Sequence, residues 1–323
     1  MKLSPAQALR LAASMFGMTT PHYAAVDLGS NAFRMMIGQP ARGSRVIREV
    51  AFFREPVRLS HGLRGSELDD SSLERGWRAL ERFGKRLRGF EPSRVRAVAT
   101  NTVRVASNAT VFLAKAEQRL GFQIDVISGQ EEARLVYAGI AHTMPDANTT
   151  RLVVDIGGGS TELAIGRGEK LLAVDSVPIG SGTFGKRFFP DGVLDGRSLQ
   201  LAERIAGEEI EKVATRYREH AWQLTIGSSG TARLLARLLQ CNGLTARGRS
   251  TITYDGLLRL SLRLLEAGHL RRLELAGLKR HRMEALPGGL AVMLAVFKVF
   301  GIDEMLPSEP GLRFGVLHGL MQS

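Results

Sequence analysis

The sequence predicts an α/β protein made of two similar halves that face a shared cleft. Apolar runs typical of buried strands alternate along the chain with segments whose apolar residues recur at helical spacing. Two predicted strands, 23–27 and 152–156, lead into turns rich in Gly and hydroxyl residues, and their aspartates, Asp27 and Asp155, lie 128 positions apart. A repeated unit of strand, acidic turn and strand indicates duplicated α/β halves, and ligands of such folds commonly bind in the crevice between them.

The elements of the first half follow in order. The apolar run 33–37 returns beside the strand 23–27 as a hairpin, and residues 69–72 offer the side chains of a helix N-cap before a stretch with helical spacing. The runs 95–99 and 124–127 predict two more buried strands, each leading through a loop into a helix.

A polar stretch at 141–150 interrupts this pattern and predicts a domain boundary nearby. The second half then opens with the strand 152–156 and its partner 162–166. A long helix is expected at 197–220 and a strand at 223–226, followed mostly by helices.

Composition gives a globular protein, with 44% hydrophobic and 24% charged residues in 323 positions. No apolar run approaches the roughly 20 residues of a membrane helix, so we expect no membrane span. The single cysteine, Cys241, excludes an internal disulfide and favours a reducing, cytoplasmic location, and we expect it in the core.

The net charge of +12 favours a polyanionic partner. Nucleic acid, an anionic membrane surface and a phosphate polymer all fit the charge alone. Aromatic residues make up only 6% of the chain and are not interleaved with the basic ones, which argues against a nucleic-acid-binding protein.

Three Gly- and hydroxyl-rich turns are the strongest chemical signal. Gly allows backbone N–H groups to approach a phosphate closely, and Ser and Thr hydroxyls add donors. Together with Arg34, the candidate phosphate-binding residues are Gly29, Ser30, Asn31, Gly157, Gly158, Gly159, Ser160, Thr161, Ser229, Gly230 and Thr231.

Carboxylates lie beside two of these turns. Mg²⁺ is usually held by one or two carboxylates together with phosphate oxygens and water. Asp155 and Glu162, seven residues apart across the turn, are the candidate ligands of Mg²⁺ or another divalent cation, with Asp27 at the equivalent strand end as a third. The alternative is that each aspartate simply caps its turn through local hydrogen bonds.

The pair Glu131 and Glu132 opens a predicted helix after Ser128 and Gly129. Carboxylates in this position are often only favourable partners of the helix dipole. A hydrolase with a phosphate site also needs a base that orients water, and a glutamate at the mouth of the cleft could supply it. Both interpretations stay open at this point.

Four motifs together resemble the signatures of the exopolyphosphatase and pppGpp phosphatase family, which belongs to the actin, hexokinase and heat-shock ATPase superfamily. They read Ala24-Ala-Val-Asp-Leu-Gly-Ser-Asn, Val126-Ile-Ser-Gly-Gln-Glu-Glu-Ala-Arg-Leu, Val153-Val-Asp-Ile-Gly-Gly-Gly-Ser-Thr-Glu-Leu and Gly227-Ser-Ser-Gly-Thr. Longer relatives add a C-terminal helical domain of the His-Asp phosphohydrolase type, and this sequence resembles the short, two-domain form.

The resemblance implies an actin-like, ribonuclease H-like fold with a cleft between two domains. Domain I is expected at 23–137, completed by a C-terminal helix at 305–323, and domain II at 138–304, after a leader at 1–22.

The resemblance also implies roles for particular residues. Glu132 matches the base that activates water, and Arg104 matches an arginine that approaches the scissile phosphate. Asp155 and Glu162 match the acidic pair associated with the divalent metal. Two positions depart from the family pattern: Ala32 replaces an expected hydroxyl, and Phe314 stands where many relatives have Glu.

The expected activity is processive, metal-dependent hydrolysis of the terminal phosphate of inorganic polyphosphate to orthophosphate, by a homodimer. Hydrolysis of pppGpp to ppGpp is the alternative within the family, and a kinase or ATPase of the superfamily is the alternative outside it. The candidate contacts for the polymer tail are the basic face 75–88 and a cluster consisting of Arg271, Arg272, Lys279, Arg280, His281 and Arg282. Either set also fits an ordinary solvated helix face.

Overall fold

A computed structural model describes residues 20–41, 47–144, 146–246 and 250–322. The strands are β1 (Tyr23–Leu28), β2 (Phe33–Pro40), β3 (Ile47–Glu55), β4 (Leu63–Arg64), β5 (Glu67–Leu68), β6 (Val95–Ala99), β7 (Ile124–Val126), β8 (Thr150–Ile156), β9 (Thr161–Arg167), β10 (Lys170–Val177), β11 (Leu224–Gly227), β12 (Ile252–Thr253) and β13 (Glu304–Pro307). The α-helices are α1 (Asp70–Leu87), α2 (Asn101–Val105), α3 (Ala109–Leu120), α4 (Gly129–Thr143), α5 (Ser181–Phe188), α6 (Gly196–Arg218), α7 (Gly230–Cys241), α8 (Tyr254–Ala267), α9 (Leu286–Phe300) and α10 (Leu312–Gln322). Residues 1–19 of the predicted leader lie outside the described residues.

Two sheets carry the fold, and they repeat one arrangement. The first sheet has the order β3-β2-β1-β6-β7, and the second has the order β10-β9-β8-β11-β13-β12. In each, three antiparallel strands are followed by two parallel ones: β1 pairs with β6 in parallel, as β8 does with β11. The second sheet has one further strand, β12, which pairs antiparallel with β13. The duplication predicted from the two aspartate turns therefore extends to the strand order of both sheets.

Each sheet has its own core, and a third core lies between the sheets. The first is built on residues such as Phe33 and Phe83, the second on residues such as Leu163 and Leu290, and all four side chains are fully buried. The third contains Tyr137 of α4 and Leu317 of α10, also buried. The cleft between the halves is thus closed at its base by apolar packing, which fixes how the two halves face each other.

Helices α4 and α10 cross at this interface. Helix α4 packs on β9 and β10 of the second sheet, whereas α10 packs on β1 of the first sheet. Glycine allows the close approach, because a Cβ added to Gly315 would collide with the carbonyl oxygen of Leu135. The chain therefore crosses twice between the halves, and the boundary predicted between 137 and 138 falls inside the continuous helix α4.

The segment 305–323 was expected as one helix, and this is wrong for its first part. Residues Glu304–Pro307 form β13, which pairs in parallel with β11 of the second sheet and buries Met305. Pro307 and Pro310 interrupt the chain before the helix begins at Leu312, since proline lacks the N–H that a helix interior needs. Only Leu312–Gln322 completes the first half as a helix.

Two other expectations have clear outcomes. Asp69 caps α1 as predicted, its side chain accepting a hydrogen bond from Ser72 N at 2.8 Å. Cys241 is exposed at the end of α7, so its predicted place in the core is wrong.

Within the described ranges, no helix combines the length and apolar character that a bilayer-spanning helix requires.

Candidate active site

The three Gly- and hydroxyl-rich turns meet at one pocket of about 110 Å³ between the halves. The turn after β1 faces the turn after β8 directly: a Cβ added to Gly158 would lie 3.0 Å from Ser30 Cβ and 3.3 Å from Asn31 Nδ2. The predicted site residues that line the pocket are Asp27, Gly29, Ser30, Asn31, Arg34, Glu132, Asp155, Gly157, Gly158, Ser160, Ser229, Gly230, Thr231 and Arg282.

The topology explains why these turns converge. They follow the ends of β1, β8 and β11, and ligands of open α/β sheets bind outside the carboxyl ends of such strands. The third turn also opens α7: Ser229 is its N-cap and accepts a hydrogen bond from Ala232 N at 2.9 Å. The partial positive charge of this helix N-terminus adds to the attraction for an anion.

Not every predicted hydroxyl faces the pocket. Thr161 is fully buried and donates to Ile179 O at 2.7 Å, and it does not line the pocket. Thr231 lines the pocket but donates to Ile156 O at 2.9 Å. Gly159 packs against the side chain of Asn101. These residues shape the turns, and their predicted phosphate contacts stay predictions.

Asp155 and Glu162 lie directly opposite each other on β8 and β9. Glu162 accepts a hydrogen bond from Ser176 Oγ at 2.9 Å. Burial raises the pKa of Asp155 to about 7, against the opposing effect of Arg233 and Arg34. Burial and the charge of Asp155 likewise raise the pKa of Glu162, while hydrogen bonds from Ser160 and Ser176 oppose the rise. The two carboxylates therefore repel each other in a desolvated place.

Glu132 stands in the first turn of α4, which Ser128 caps by accepting a hydrogen bond from Glu131 N at 3.1 Å. Burial, followed by the charges of Glu162 and Asp155, raises the pKa of Glu132 well above its usual value. Arg104 opposes this rise: its Nη1 atom lies 3.5 Å from Glu132 Oε2 and donates to Ile127 O at 2.7 Å. Arg104 does not line the pocket, so it reaches the site through Glu132.

The opposed carboxylates of Asp155 and Glu162 are the candidate ligands of a divalent cation, which would need further ligands. In the described part of the chain, no group of three or more His, Cys, Asp or Glu side chains is arranged to hold a metal ion. Mg²⁺ commonly takes only one or two carboxylates and completes its shell with phosphate oxygens and water. Asp155 lines the pocket, whereas Glu162 is buried and does not line it. A cation between them would relieve their mutual repulsion, and their role as its ligands stays a prediction.

Asp27 has a different environment from Asp155. Its Oδ2 atom lies 3.3 Å from Arg34 Nη1 and 3.4 Å from Arg313 Nη1. Two arginines thus balance its charge, and its predicted role as a metal ligand stays a prediction.

The structure adds polar lining residues that the sequence reasoning missed. They are Thr100, Asn101, Ser181, Ser228, Arg233, Glu309 and Arg313. Thr100 and Asn101 could have been found, because they follow a predicted strand that runs parallel to β1. Arg313 carried no local signal.

The predicted basic cluster divides between two places. Arg282 lines the central pocket, whereas Arg271 and Arg280 line a second cavity of about 800 Å³, which also contains Lys186 and His61. Arg272 and Lys279 line neither cavity.

The other predicted tail contact, the 75–88 face of α1, is largely engaged within the protein. Arg78 pairs with Glu74 at 2.9 Å and Arg82 with Glu55 at 2.7 Å. Arg75 donates to Val57 O at 2.9 Å. These interactions fit the solvated-face alternative.

The duplicated sheets, whose Gly- and hydroxyl-rich turns face each other across a cleft, define a protein of the actin-like fold. Comparison with solved structures agrees. A PPX-GPPA enzyme from Aquifex aeolicus is 25% identical with a TM-score of 0.76, covering 93% of this chain and 100% of that one. An exopolyphosphatase from Cytophaga hutchinsonii, at 22% identity, shares the fold with a TM-score of 0.82, covering 94% of this chain and 98% of that one.

Residues 41–323 match the model of the Ppx/GppA phosphatase family, and the chain belongs to this family. The resemblance read from the four motifs and the predicted fold class are thereby confirmed. The chain is a hydrolase that acts on phosphoanhydride bonds.

Proposed function

We propose that this protein is an exopolyphosphatase that removes terminal phosphates one at a time from inorganic polyphosphate. The observation that carries the proposal is the composition of the central pocket. It is lined by Gly turns, hydroxyls and four arginines, and among its described lining residues there is no aromatic side chain on which a guanine could stack. A purely phosphate ligand suits such a pocket better than a nucleotide does.

The binding step follows from the lining. The turns at Gly29–Asn31 and Gly157–Ser160 offer backbone N–H groups to the terminal phosphate, and Arg34 and Arg233 add charge-assisted hydrogen bonds. These groups are held in place before substrate binds, which favours the charge of the transition state.

Glu132 orients the attacking water and accepts its proton. Its raised pKa makes it a stronger base than an ordinary glutamate, and Arg104 holds the carboxylate in place at 3.5 Å. As the water oxygen bonds to the terminal phosphorus, the bridging P–O bond breaks, and the bridging oxygen leaves with its electron pair on the shortened chain. A divalent cation held by Asp155 and Glu162 would neutralise charge that develops on the phosphate oxygens.

Comparing two substrates tests the proposal. Phosphate release is measured from long-chain polyphosphate and from pppGpp, each with Mg²⁺ and at several salt concentrations. We expect a higher kcat/KM for polyphosphate, and a KM that rises steeply with salt because many phosphates are held by cations, as in DNA binding. A preference for pppGpp would replace the proposal with the alternative activity.

Two further expectations accompany this function. Removal of divalent cations with EDTA should stop phosphate release, and added Mg²⁺ should restore it; release that persists in EDTA would contradict a metal at Asp155 and Glu162. Light scattering in solution checks the expected homodimer, and a mass of one chain would contradict it.

A further inference from the structure

Two arginines, Arg282 in the lining of the central pocket and Arg54 near it, have no ion-pair partner among the residues that the structure describes. Arg54, on β3, lies directly opposite Arg34 of β2, and like charges placed opposite each other on neighbouring strands are destabilising. Arg34 has Asp27 as its ionic partner. For Arg54, no carboxylate lies within ion-pairing distance anywhere in ranges 20–41, 47–144, 146–246 and 250–322.

Arg282 approaches the same place from the other half. It ends the short 3-10 helix Arg280–Arg282, lines the central pocket, and places Nη2 2.8 Å from where a Cβ of Gly230 would stand. Burial, followed by the charges of Arg34 and Arg54, lowers the pKa of Arg282 to about 10. It too has no ion-pair partner among the described residues.

The remaining arginines of the pocket have partners within the protein. Arg313 pairs with Asp27, and Arg233 donates to Ser308 O at 3.0 Å and to Glu309 O at 3.3 Å. Of these described arginines, only Arg54 and Arg282, one from each half, make neither an ion pair nor a side-chain hydrogen bond. Neighbouring cations without an anion between them raise the free energy of the folded protein, and a bound anion would reverse that cost.

We propose that Arg54 and Arg282 form a second anion-binding subsite, which holds the phosphates that follow the cleaved one in an inorganic phosphate chain. The inference rests on the proposed function and deepens it. The position of Arg282 at the pocket rim and of Arg54 just outside it sets the direction in which the chain leaves. A chain of three or more phosphates would reach both arginines and tie the two halves together.

The cationic surface continues outward from this subsite. His281 lies near Arg54, Arg282, Lys279 and Arg58, and burial together with all four of these charges lowers its pKa. Longer chains would therefore meet further cations after leaving the subsite. This cationic surface includes Lys279 of the predicted basic cluster and does not include the 75–88 face of α1.

Binding measurements with Arg54→Gln test the subsite. Calorimetry with orthophosphate and with tripolyphosphate is done in the Glu132→Gln background, so that bound chains are not cleaved. Loss of one charge-assisted contact should weaken tripolyphosphate binding by roughly tenfold and leave orthophosphate binding unchanged. Arg54→Lys should recover part of the loss. Arg48→Gln, an exposed arginine on the same strand, is the matched control and should change neither affinity.

Thermal melting gives a second readout that does not depend on turnover. Without anions, Arg54→Gln should melt at a higher temperature than the parent protein, because one repelling charge is removed. Tripolyphosphate should then stabilise the parent more than the variant.

Three outcomes would overturn the subsite: equal weakening of both anions, no weakening of either, or a parent protein that binds tripolyphosphate no more tightly than orthophosphate. The proposed function is judged separately, by phosphate release from polyphosphate by the unaltered protein. Normal release together with an unaffected Arg54→Gln variant would reject the subsite alone.

Discussion

The carboxylate of Asp27 accepts a hydrogen bond from Arg313, whose Nη1 atom lies 3.4 Å from Oδ2 although the residues are 286 positions apart. Arg34 reaches the same oxygen at 3.3 Å. In the second half, the residue that occupies the place of Arg34 is Glu162, opposite Asp155. The duplicated turns are thus electrostatically unequal: the aspartate of the first pairs with two arginines, whereas neither Asp155 nor Glu162 makes an ion pair with a described lysine or arginine.

Loss of Arg313 should destabilise the protein. Its side chain is only 13% exposed, so Arg313→Met leaves Asp27 with a single partner in a poorly solvated place. We expect a loss of about 1–3 kcal/mol in the free energy of unfolding, measured with urea. Arg78→Met, which removes an exposed pair with Glu74, is the control and should cost less than about 1 kcal/mol. Equal effects of the two changes would contradict a structural role for the Asp27–Arg313 pair.

Glu132→Gln should abolish turnover while leaving the protein folded and able to bind polyphosphate. The amide keeps the size of the side chain but cannot accept the proton, so we expect kcat to fall by about 10²- to 10⁴-fold. Single-turnover phosphate release measures the loss, and calorimetry confirms retained binding. Glu131→Gln, at the neighbouring position on the helix, where the side chain is 40% exposed, is the control. Near-normal release by Glu132→Gln would remove Glu132 as the base.

The raised pKa of Asp155 predicts how stability depends on pH. Because its folded pKa is raised from 3.8 to about 7, the folded protein keeps a proton that the unfolded chain loses within this window. Stability therefore falls as pH rises from about 4 to about 7, since the unfolded state binds fewer protons.

Asp155→Asn removes that contribution, together with the effect of the Asp155 charge on the pKa values of Glu162 and Glu132. In EDTA, the melting temperature of the variant minus that of the wild type should be larger at pH 7 than at pH 4, because only the wild type loses this stabilisation as pH rises. Mg²⁺ should stabilise the wild type more than the variant above pH 7. A difference in melting temperature that is constant with pH would contradict the raised pKa.

The crossing of α4 and α10 predicts opposite effects for two glycines on one helix. Gly315→Ala places a methyl group against the carbonyl oxygen of Leu135 and should destabilise the protein by about 1–3 kcal/mol or more. Gly319→Ala meets open space and should be neutral or stabilising by up to about 1 kcal/mol, from helix propensity. Denaturant unfolding measures the free energy of unfolding of both variants. Similar values for the two would contradict the close packing of α10 against α4 at Gly315.

The chemistry of the turns could be predicted from the sequence, because it is local. Gly and hydroxyl residues beside strand-terminal aspartates appear as contiguous motifs, and Glu132 lies in the first turn of its helix. The alternation of strands and helices likewise follows from hydrophobic periodicity. These features identified the family, the fold class and most of the residues that line the pocket.

Tertiary structure decided which charges face one another. Arg313 approaches Asp27 only because α10 returns to the first sheet across α4. Arg54 lies near Arg282 only because β3 and a 3-10 helix of the other half border one cleft. No sequence spacing encodes such contacts, since they depend on how two sheets are held together by a shared core. The sequence by itself determined the Gly- and hydroxyl-rich turns and the acidic residues beside them. The folded chain determined which aspartate is neutralised, and where positive charge is left for the substrate, because electrostatic energy depends on distance in space rather than along the chain.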